Sequence, residues 1–240
     1  FKNRNLTISI ITMFMFGAAF FGGLLLVPTY FQQIRGESTT MAGVLMIAQG
    51  VGAITTMPIA GALVDKMPVG RIIPVGLTLI VAGMFPLTQV DTDTSYWVII
   101  PALYVMGMGM GATMMPLFTS ALKTLTNHEV ARGSTLLNIS QQIASSIGVA
   151  VMSVILTNHL KDGKFATAAI GSVTDPSIIE KIGASNIAKG FEEAANSFST
   201  TFWVAWSLVL LTVIPALFLP RKQEASHLLD DEGQPPVLVH

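Results

Sequence analysis

The chain has 240 residues, of which 51% are hydrophobic and 11% are charged, with a formal net charge of −1 at pH 7 and no cysteine. A typical soluble domain has about 25% charged residues, so this composition excludes an ordinary soluble protein and indicates an all-α, polytopic membrane protein. Disulfides and thiolate metal sites are excluded, and no basic patch points to nucleic acid as a partner.

Six apolar segments are long enough to cross a bilayer, which takes about 20 residues. We expect spanning helices at residues 6–31, 41–64, 72–89, 96–122, 133–158 and 199–219. With the N-terminus inside, most Lys and Arg residues fall in the inner connections, whereas the short outer loops hold only Arg35. The positive-inside rule therefore predicts a multi-pass protein of the cell membrane with both termini in the cytoplasm.

The first two helices carry candidate contacts for a small molecule. Phe16 and Phe20 belong to a Met and aromatic face of the first helix, and such faces suit recognition of flat or cationic molecules. Packing or lipid contact is the alternative. Gln49 belongs to a small and polar face of the second helix, where close helix packing is the alternative to binding.

A short charged break separates the second and third segments, with the sequence Gly-Ala-Leu-Val-Asp-Lys-Met-Pro-Val-Gly-Arg at residues 61–71. Such a break between two spanning segments predicts a tight turn at the membrane surface. We expect Gly61 to let two helices approach closely and Asp65 to cap or neutralise a nearby helix N-terminus. Lys66 and Arg71 would hold the turn on the cytoplasmic face.

The fourth and fifth helices carry two further patterns. Gly107 and Gly111 have the Gly-x-x-x-Gly spacing that permits tight helix contact, and Met110 lies on another face as a pocket candidate. The fifth helix has a polar stripe, and Asn138 and Gln141 are its strongest candidates for lining a substrate cavity. Interhelical hydrogen bonding is the alternative. The polar stripe comprises Ser134, Asn138, Gln141, Gln142, Ser145 and Ser153. The apolar face opposite it comprises Leu136, Ile139, Ile143, Ile147 and Val154.

A transmembrane unit of residues 1–220 is expected to contain one long outer loop, residues 159–198. Asp175-Pro176 and the later Gly183 predict a short helix at 177–182, and a second helical stretch at 186–196 can run towards the last helix. Residues 221–240 are polar and acidic, which predicts a disordered cytoplasmic tail. No cluster of metal ligands is found, so no metal or other cofactor is expected.

Charged residues are absent from membrane depth in this sequence: every Asp, Glu, Lys, Arg and His lies in a turn, the long loop or a terminal segment. Proton coupling needs a titratable group inside the membrane. If the protein is coupled to protons, the proton carrier therefore lies outside this chain.

Taken in order, these stretches resemble the major facilitator superfamily. Residues 61–71 are similar to its Gly-x-Leu-x-Asp-Arg-x-Gly-Arg-Arg loop, although Pro68 stands near where the family usually has Gly. The matching positions are Gly61, Asp65, Lys66, Gly70 and Arg71. Pro28-Thr-Tyr-Phe-Gln-Gln, Gly107-Met-Gly-Met-Gly and the Gly133-Ser-Thr-Leu-Leu-Asn-Ile-Ser-Gln-Gln stretch look like the C-terminal half of a fourteen-helix drug:proton antiporter of the QacA/EmrB type.

The resemblance implies one six-helix repeat of a transporter that exports lipophilic or cationic drugs in exchange for protons by alternating access. The turn at 61–71 would be a conformational switch, and the proton carrier would lie in an N-terminal half. The start at Phe1 rather than Met also leads us to expect a fragment. A stand-alone half-transporter that acts as a homodimer and a non-transporting membrane scaffold remain open. No nucleophile–base pair or phosphate loop suggests an enzyme.

Overall fold

The structure, a computed structural model, describes residues 4–123 and 127–219. Within these ranges the side chains of residues 4–7, 9, 65, 120–123 and 127–131 are not described. The predicted tail at 221–240 lies outside the described residues. The described residues form eight α-helices and one 3-10 turn: α1 Arg4–Gln33, α2 Thr39–Lys66, α3 Val69–Met84, the 3-10 turn Phe85–Gln89, α4 Tyr96–Lys123, α5 Asn127–Asp162, α6 Ala166–Ser172, α7 Ser177–Ile182 and α8 Ala184–Ala216.

Six of these helices, α1 to α5 and α8, are long and apolar enough to cross a membrane, which confirms the predicted number. α1 packs between α5 and α8, whereas α2 and α3 both pack on α4, and α3 also packs on α8. Large apolar side chains of α1, α3 and α8 fill the centre. The largest buried ones include Tyr30, Phe16, Phe20, Phe31, Phe198, Phe202, Ile73, Leu77 and Ile80.

The third spanning segment ends differently from the prediction of one helix to residue 89. The α-helix stops at Met84, and Phe85–Gln89 form a 3-10 turn. Pro86 explains the change, because proline has no N–H to donate to the carbonyl four residues earlier and its ring crowds that carbonyl. The chain therefore tightens into 3-10 geometry before the next loop.

The last spanning helix begins much earlier than residue 199, because the predicted stretch 186–196 is continuous with it in α8. α5 likewise runs to Asp162. At about 1.5 Å per residue, the 36 residues of α5 measure about 54 Å, against a hydrocarbon core of about 30 Å. Both helices therefore project beyond the bilayer, and most of the predicted outer loop is helical.

The short helix predicted at 177–182 is confirmed as α7. At its start the backbone N–H of Ser177 donates to the Asp175 carboxylate at 3.0 Å. At its end Gly183 has a φ of +89°, a conformation that residues with a Cβ rarely adopt. This glycine lets the chain reverse directly from α7 into α8.

The bundle has two ends, which are named here for later use. The turn end carries the short α2–α3 connection at residues 67–68, and the loop end carries the α1–α2 and α3–α4 connections together with α6 and α7.

Candidate functional site

α5 packs on α1 through a seam where the two backbones nearly touch. A Cβ added to Gly148 would lie 2.0 Å from the carbonyl oxygen of Ala18, and one added to Gly22 would lie 2.7 Å from the carbonyl oxygen of Gly148. Ala144 packs beside Gly17 in the same seam. Only glycine permits so close an approach, and the seam fixes the rotation of α5 about its axis.

This rotation leaves two faces of α5 uncovered by the other described helices. The predicted apolar face is exposed, with 45–59% of the surface of Leu136, Ile139, Ile143, Ile147 and Val154 accessible. On the predicted polar stripe, Asn138, Gln142 and Ser153 are exposed, and Gln141, Ser134 and Ser145 are half-buried. An apolar face can lie against lipid, but an exposed carboxamide at membrane depth needs water or another protein surface.

Phe16 and Phe20 lie in the core of the six-helix unit, and each is only 1% exposed. Their rings are stacked with centroids 5.2 Å apart. Within this chain both side chains therefore serve packing. Contact of either ring with a transported molecule stays a prediction.

Gln49 is 5% exposed, and its Nε2 atom has no hydrogen-bond partner among the described residues. The backbones of α2 and α4 are very close at this point, since a Cβ on Gly107 of α4 would lie 1.9 Å from the Gln49 carbonyl oxygen of α2. A Cβ on Gly111 would lie 2.5 Å from the carbonyl oxygen of Ala53, so the tight contact predicted from the Gly-x-x-x-Gly spacing is confirmed. An unsatisfied buried amide costs about 1–3 kcal/mol, which makes Gln49 a candidate for a partner that the described residues do not supply. Met110 is half-buried and packs against the core.

The turn at 61–71 is short, with only Met67 and Pro68 between α2 and α3. Lys66 and Arg71 are exposed at this end of the bundle, and Gly70 is buried. Asp65 lies in the last turn of α2, but its side chain is outside the description. A Cβ on Gly61 would meet no atom within 4 Å. The close helix approach predicted at Gly61 is therefore wrong within the described chain.

A cluster at the loop end was not predicted from the sequence. The Tyr96 hydroxyl donates to the Glu37 carboxylate at 2.5 Å, the Arg35 guanidinium donates to the Thr92 carbonyl, and its central carbon lies 4.9 Å from the centre of the Tyr96 ring. Partial burial is the largest single influence and opposes the Arg35 charge. The hydrogen bond with Tyr96 and the electrostatic interactions with Tyr96, Tyr30 and Asp93 together outweigh it, so the pKa of Arg35 is raised. The sequence feature that could have pointed to this cluster is Arg35, because it is the single basic residue of the short loops at this end.

The family model described as Major Facilitator Superfamily matches residues 1–149 of the chain. The chain is 39% identical over 241 residues to the multidrug resistance protein B homolog of Mycobacterium tuberculosis, an alignment that covers 95% of the chain and 44% of that protein. It is 25% identical over 164 residues to the multidrug export protein EmrB of Escherichia coli, covering 66% of the chain and 31% of that protein. The chain thus spans less than half the length of these relatives.

A solved structure shows the same fold. The fucose:proton symporter FucP of Escherichia coli matches with a TM-score of 0.67 and 17% identity, over 92% of this chain and 52% of that one. At this identity the likeness concerns the fold alone.

Proposed function

Because the chain belongs to the major facilitator superfamily, a family of membrane transporters rather than enzymes, we propose that it is the C-terminal six-helix half of a multidrug efflux transporter. The observation that carries the proposal is the polar stripe of α5, whose Asn138, Gln142 and Ser153 are left exposed by the other described helices. A second six-helix unit facing this stripe would enclose a polar cavity at membrane depth. The names of the relatives, a multidrug resistance protein homolog and a multidrug export protein, support drugs as the cargo.

In this proposal the substrate cavity is lined by α5 and by a second unit that lies outside this chain. Asn138 and Gln141 offer carboxamide donors and acceptors to a bound molecule, and Gln49 and Met110 contribute from the α2–α4 pair. Phe16 and Phe20 reach the substrate only if α1 moves relative to its neighbours during transport. The cargo class is lipophilic, often cationic compounds.

Proton exchange would drive the export. The spanning segments of this chain carry no Asp, Glu, Lys, Arg or His at membrane depth, so the proton carrier of the proposed antiporter belongs to the other half. The turn end is cytoplasmic in this arrangement, as the positive-inside rule requires. Single cysteines replacing Lys66 and Asp93, which are both exposed, should then react with an impermeant reagent from opposite sides of the membrane.

The cavity is tested with Asn138→Leu and Gln141→Leu in the full-length transporter. We expect the set of exported compounds to change while the amount of protein in the membrane stays the same, because Asn138 is exposed and Gln141 only half-buried, and such positions tolerate an apolar side chain of similar size. Ile143→Leu, on the exposed apolar face of α5, is the matched control and should leave export unchanged. Unchanged export of every compound by both polar variants would refute the cavity.

A homodimer of this chain would also cover the polar stripe, and one measurement separates the two arrangements. Reconstituted alone with an imposed pH gradient, the chain should not accumulate a cationic dye, because it has no proton carrier in the membrane. Dye accumulation driven by the gradient would favour the homodimer over the half-transporter.

A further inference from the structure

A cleft lies at the turn end, and no residue of α5 lines it. It has a volume of about 210 Å³ between α2, α3 and α4. Its walls are mainly aliphatic, formed among others by Ile59, Ala60, Leu63, Ile72, Val75 and Ala112. Thr56 also lines it, but its hydroxyl donates to the Met108 carbonyl at 2.7 Å. Apart from Arg71, the lining therefore presents hydrocarbon, and none of its other described residues offers a polar ligand a free hydrogen-bonding side chain.

Small residues create this cleft, and it opens towards lipid. Ala60 and Ala112 face it from α2 and α4, where larger side chains would close it. Ile59 and Val75 stand at its mouth and are exposed by 59% and 60%. Both belong to segments that are apolar enough to span the membrane, so in the chain by itself the mouth faces the hydrocarbon of the bilayer rather than water.

One cationic side chain lines the same cleft at the membrane surface, and a second lies nearby in sequence. Arg71 is one of its lining residues and is exposed. Lys66 is exposed at the end of α2, next to the turn that leads to Arg71. An aliphatic slot below and positive charge above fit a molecule with an apolar tail and an anionic head, and they disfavour a lipophilic cation.

We propose that this cleft binds one acyl chain of an anionic phospholipid, with the headgroup phosphate held by Arg71 and assisted by Lys66. The walls contact methylene groups that would otherwise remain in the hydrocarbon of the bilayer. The acyl chain therefore adds little to the binding affinity, and its main effect is to position the lipid. Selectivity comes from the headgroup, because a Lys or Arg near the surface attracts anionic lipid. The site is independent of the substrate cavity and requires only that the chain spans a membrane.

Native mass spectrometry of the purified chain tests the site. The chain is titrated with phosphatidylglycerol or with phosphatidylcholine of identical acyl chains, and the first bound lipid is counted. We expect tighter binding of phosphatidylglycerol, and Arg71→Gln should weaken it about fivefold, the equivalent of about 1 kcal/mol for one cation. Val75→Trp, which fills the mouth, should weaken the binding of both lipids.

Two variants are matched controls. Arg132→Gln removes another exposed arginine, from α5, and Val98→Trp adds the same bulk at an exposed position near the start of α4. Both should bind phosphatidylglycerol like the original chain. Equal binding of the two lipids, or equal losses in the controls, would overturn the proposal. All variants are compared at unchanged thermal unfolding temperature, and Leu63→Phe replaces Val75→Trp if the latter unfolds.

Discussion

α1 and α5 lie side by side along one seam, yet they have opposite environments. Of the most apolar 18 residues in each span, 56% are buried in α1 and 22% in α5. Both spans are apolar by composition, because lipid and protein interior select the same side chains. Hydropathy therefore identifies both helices but cannot separate a core helix from a peripheral one. The two helices differ in their polar side chains, because α5 carries a stripe of them along one face.

The largest difference between the two helices is expected when a buried side chain of α1 is truncated. Phe20→Ala should lower the free energy of unfolding by about 3–5 kcal/mol, since the ring is fully buried and leaves a cavity. Ile143→Ala on the exposed face of α5 should cost much less, because lipid fills the space. Denaturant titration in bicelles measures both. Similar losses would mean that burial within this chain does not describe the environment of α5.

The seam itself is tested by a smaller change. Gly148→Ala places a methyl group against the Ala18 carbonyl, and we expect a loss of about 1–3 kcal/mol from overpacking. At Gly50, where a Cβ would meet nothing within 4 Å, the same substitution should be neutral or stabilise the helix by about 0.5–1 kcal/mol. A gain in stability for Gly148→Ala would show that the two backbones are not in contact.

The difference between the two exposed faces of α5 can be sharpened by chemical labelling. Cysteines replacing Asn138 and Ile143 are compared in the full-length transporter, freed of any other cysteine. The thiol at 138 should react with a water-soluble maleimide about tenfold faster or more, because an apolar environment raises thiol pKa by at least one unit and thiolate is the reactive form. Equal rates would argue that the polar stripe is packed against protein and holds no water.

The smallest effect on stability is expected at the turn. Asp65→Asn removes one charge at the membrane surface, where an exposed ion pair contributes about 0–1 kcal/mol. If the turn is the conformational switch that the family resemblance implies, transport should nevertheless fall, because an interaction of about 1.4 kcal/mol made in only one of two conformations changes their ratio tenfold. Efflux by the variant and labelling of a cysteine near Ala60 measure the two effects. Normal efflux with unchanged labelling would assign Asp65 to a merely solvated turn.

The fold was predictable where one physical rule decides. Apolar length determines the six spans, and Asp175-Pro176 with Gly183 determines α7, because capping and turn chemistry are local. The helical stretch at 186–196 was predicted, but the start of the last spanning helix at residue 199 was wrong, since Glu192 and Glu193 end the apolar run without breaking α8. Hydropathy locates the membrane boundary, whereas only a backbone breaker or tertiary packing ends a helix.

The kinds of residue that form the candidate site could be predicted from the sequence, but the direction in which several of their side chains point could not. The polar stripe containing Asn138 and Gln141 follows from helical periodicity, and the Gly107–Gly111 contact follows from spacing. That Phe16 and Phe20 turn inwards, and that Gly61 faces open space, depends on the rotation of each helix against its neighbours. The cluster of Arg35, Glu37 and Tyr96 joins loops about 60 positions apart, a distance over which no local pattern exists.

The corner formed by α6 and the start of α8 gives this membrane protein a structured handle outside the spanning segments. A Cβ on Gly190 would lie 2.5 Å from the carbonyl oxygen of Phe165, and the Phe165 N–H donates to the Glu193 carboxylate at 2.8 Å. The corner is thereby fixed to a helix that continues through the bilayer. An antibody fragment raised against it would keep a constant orientation relative to the spanning helices, and could serve as a fiducial marker for electron cryomicroscopy of a particle that is otherwise largely hidden in its detergent micelle.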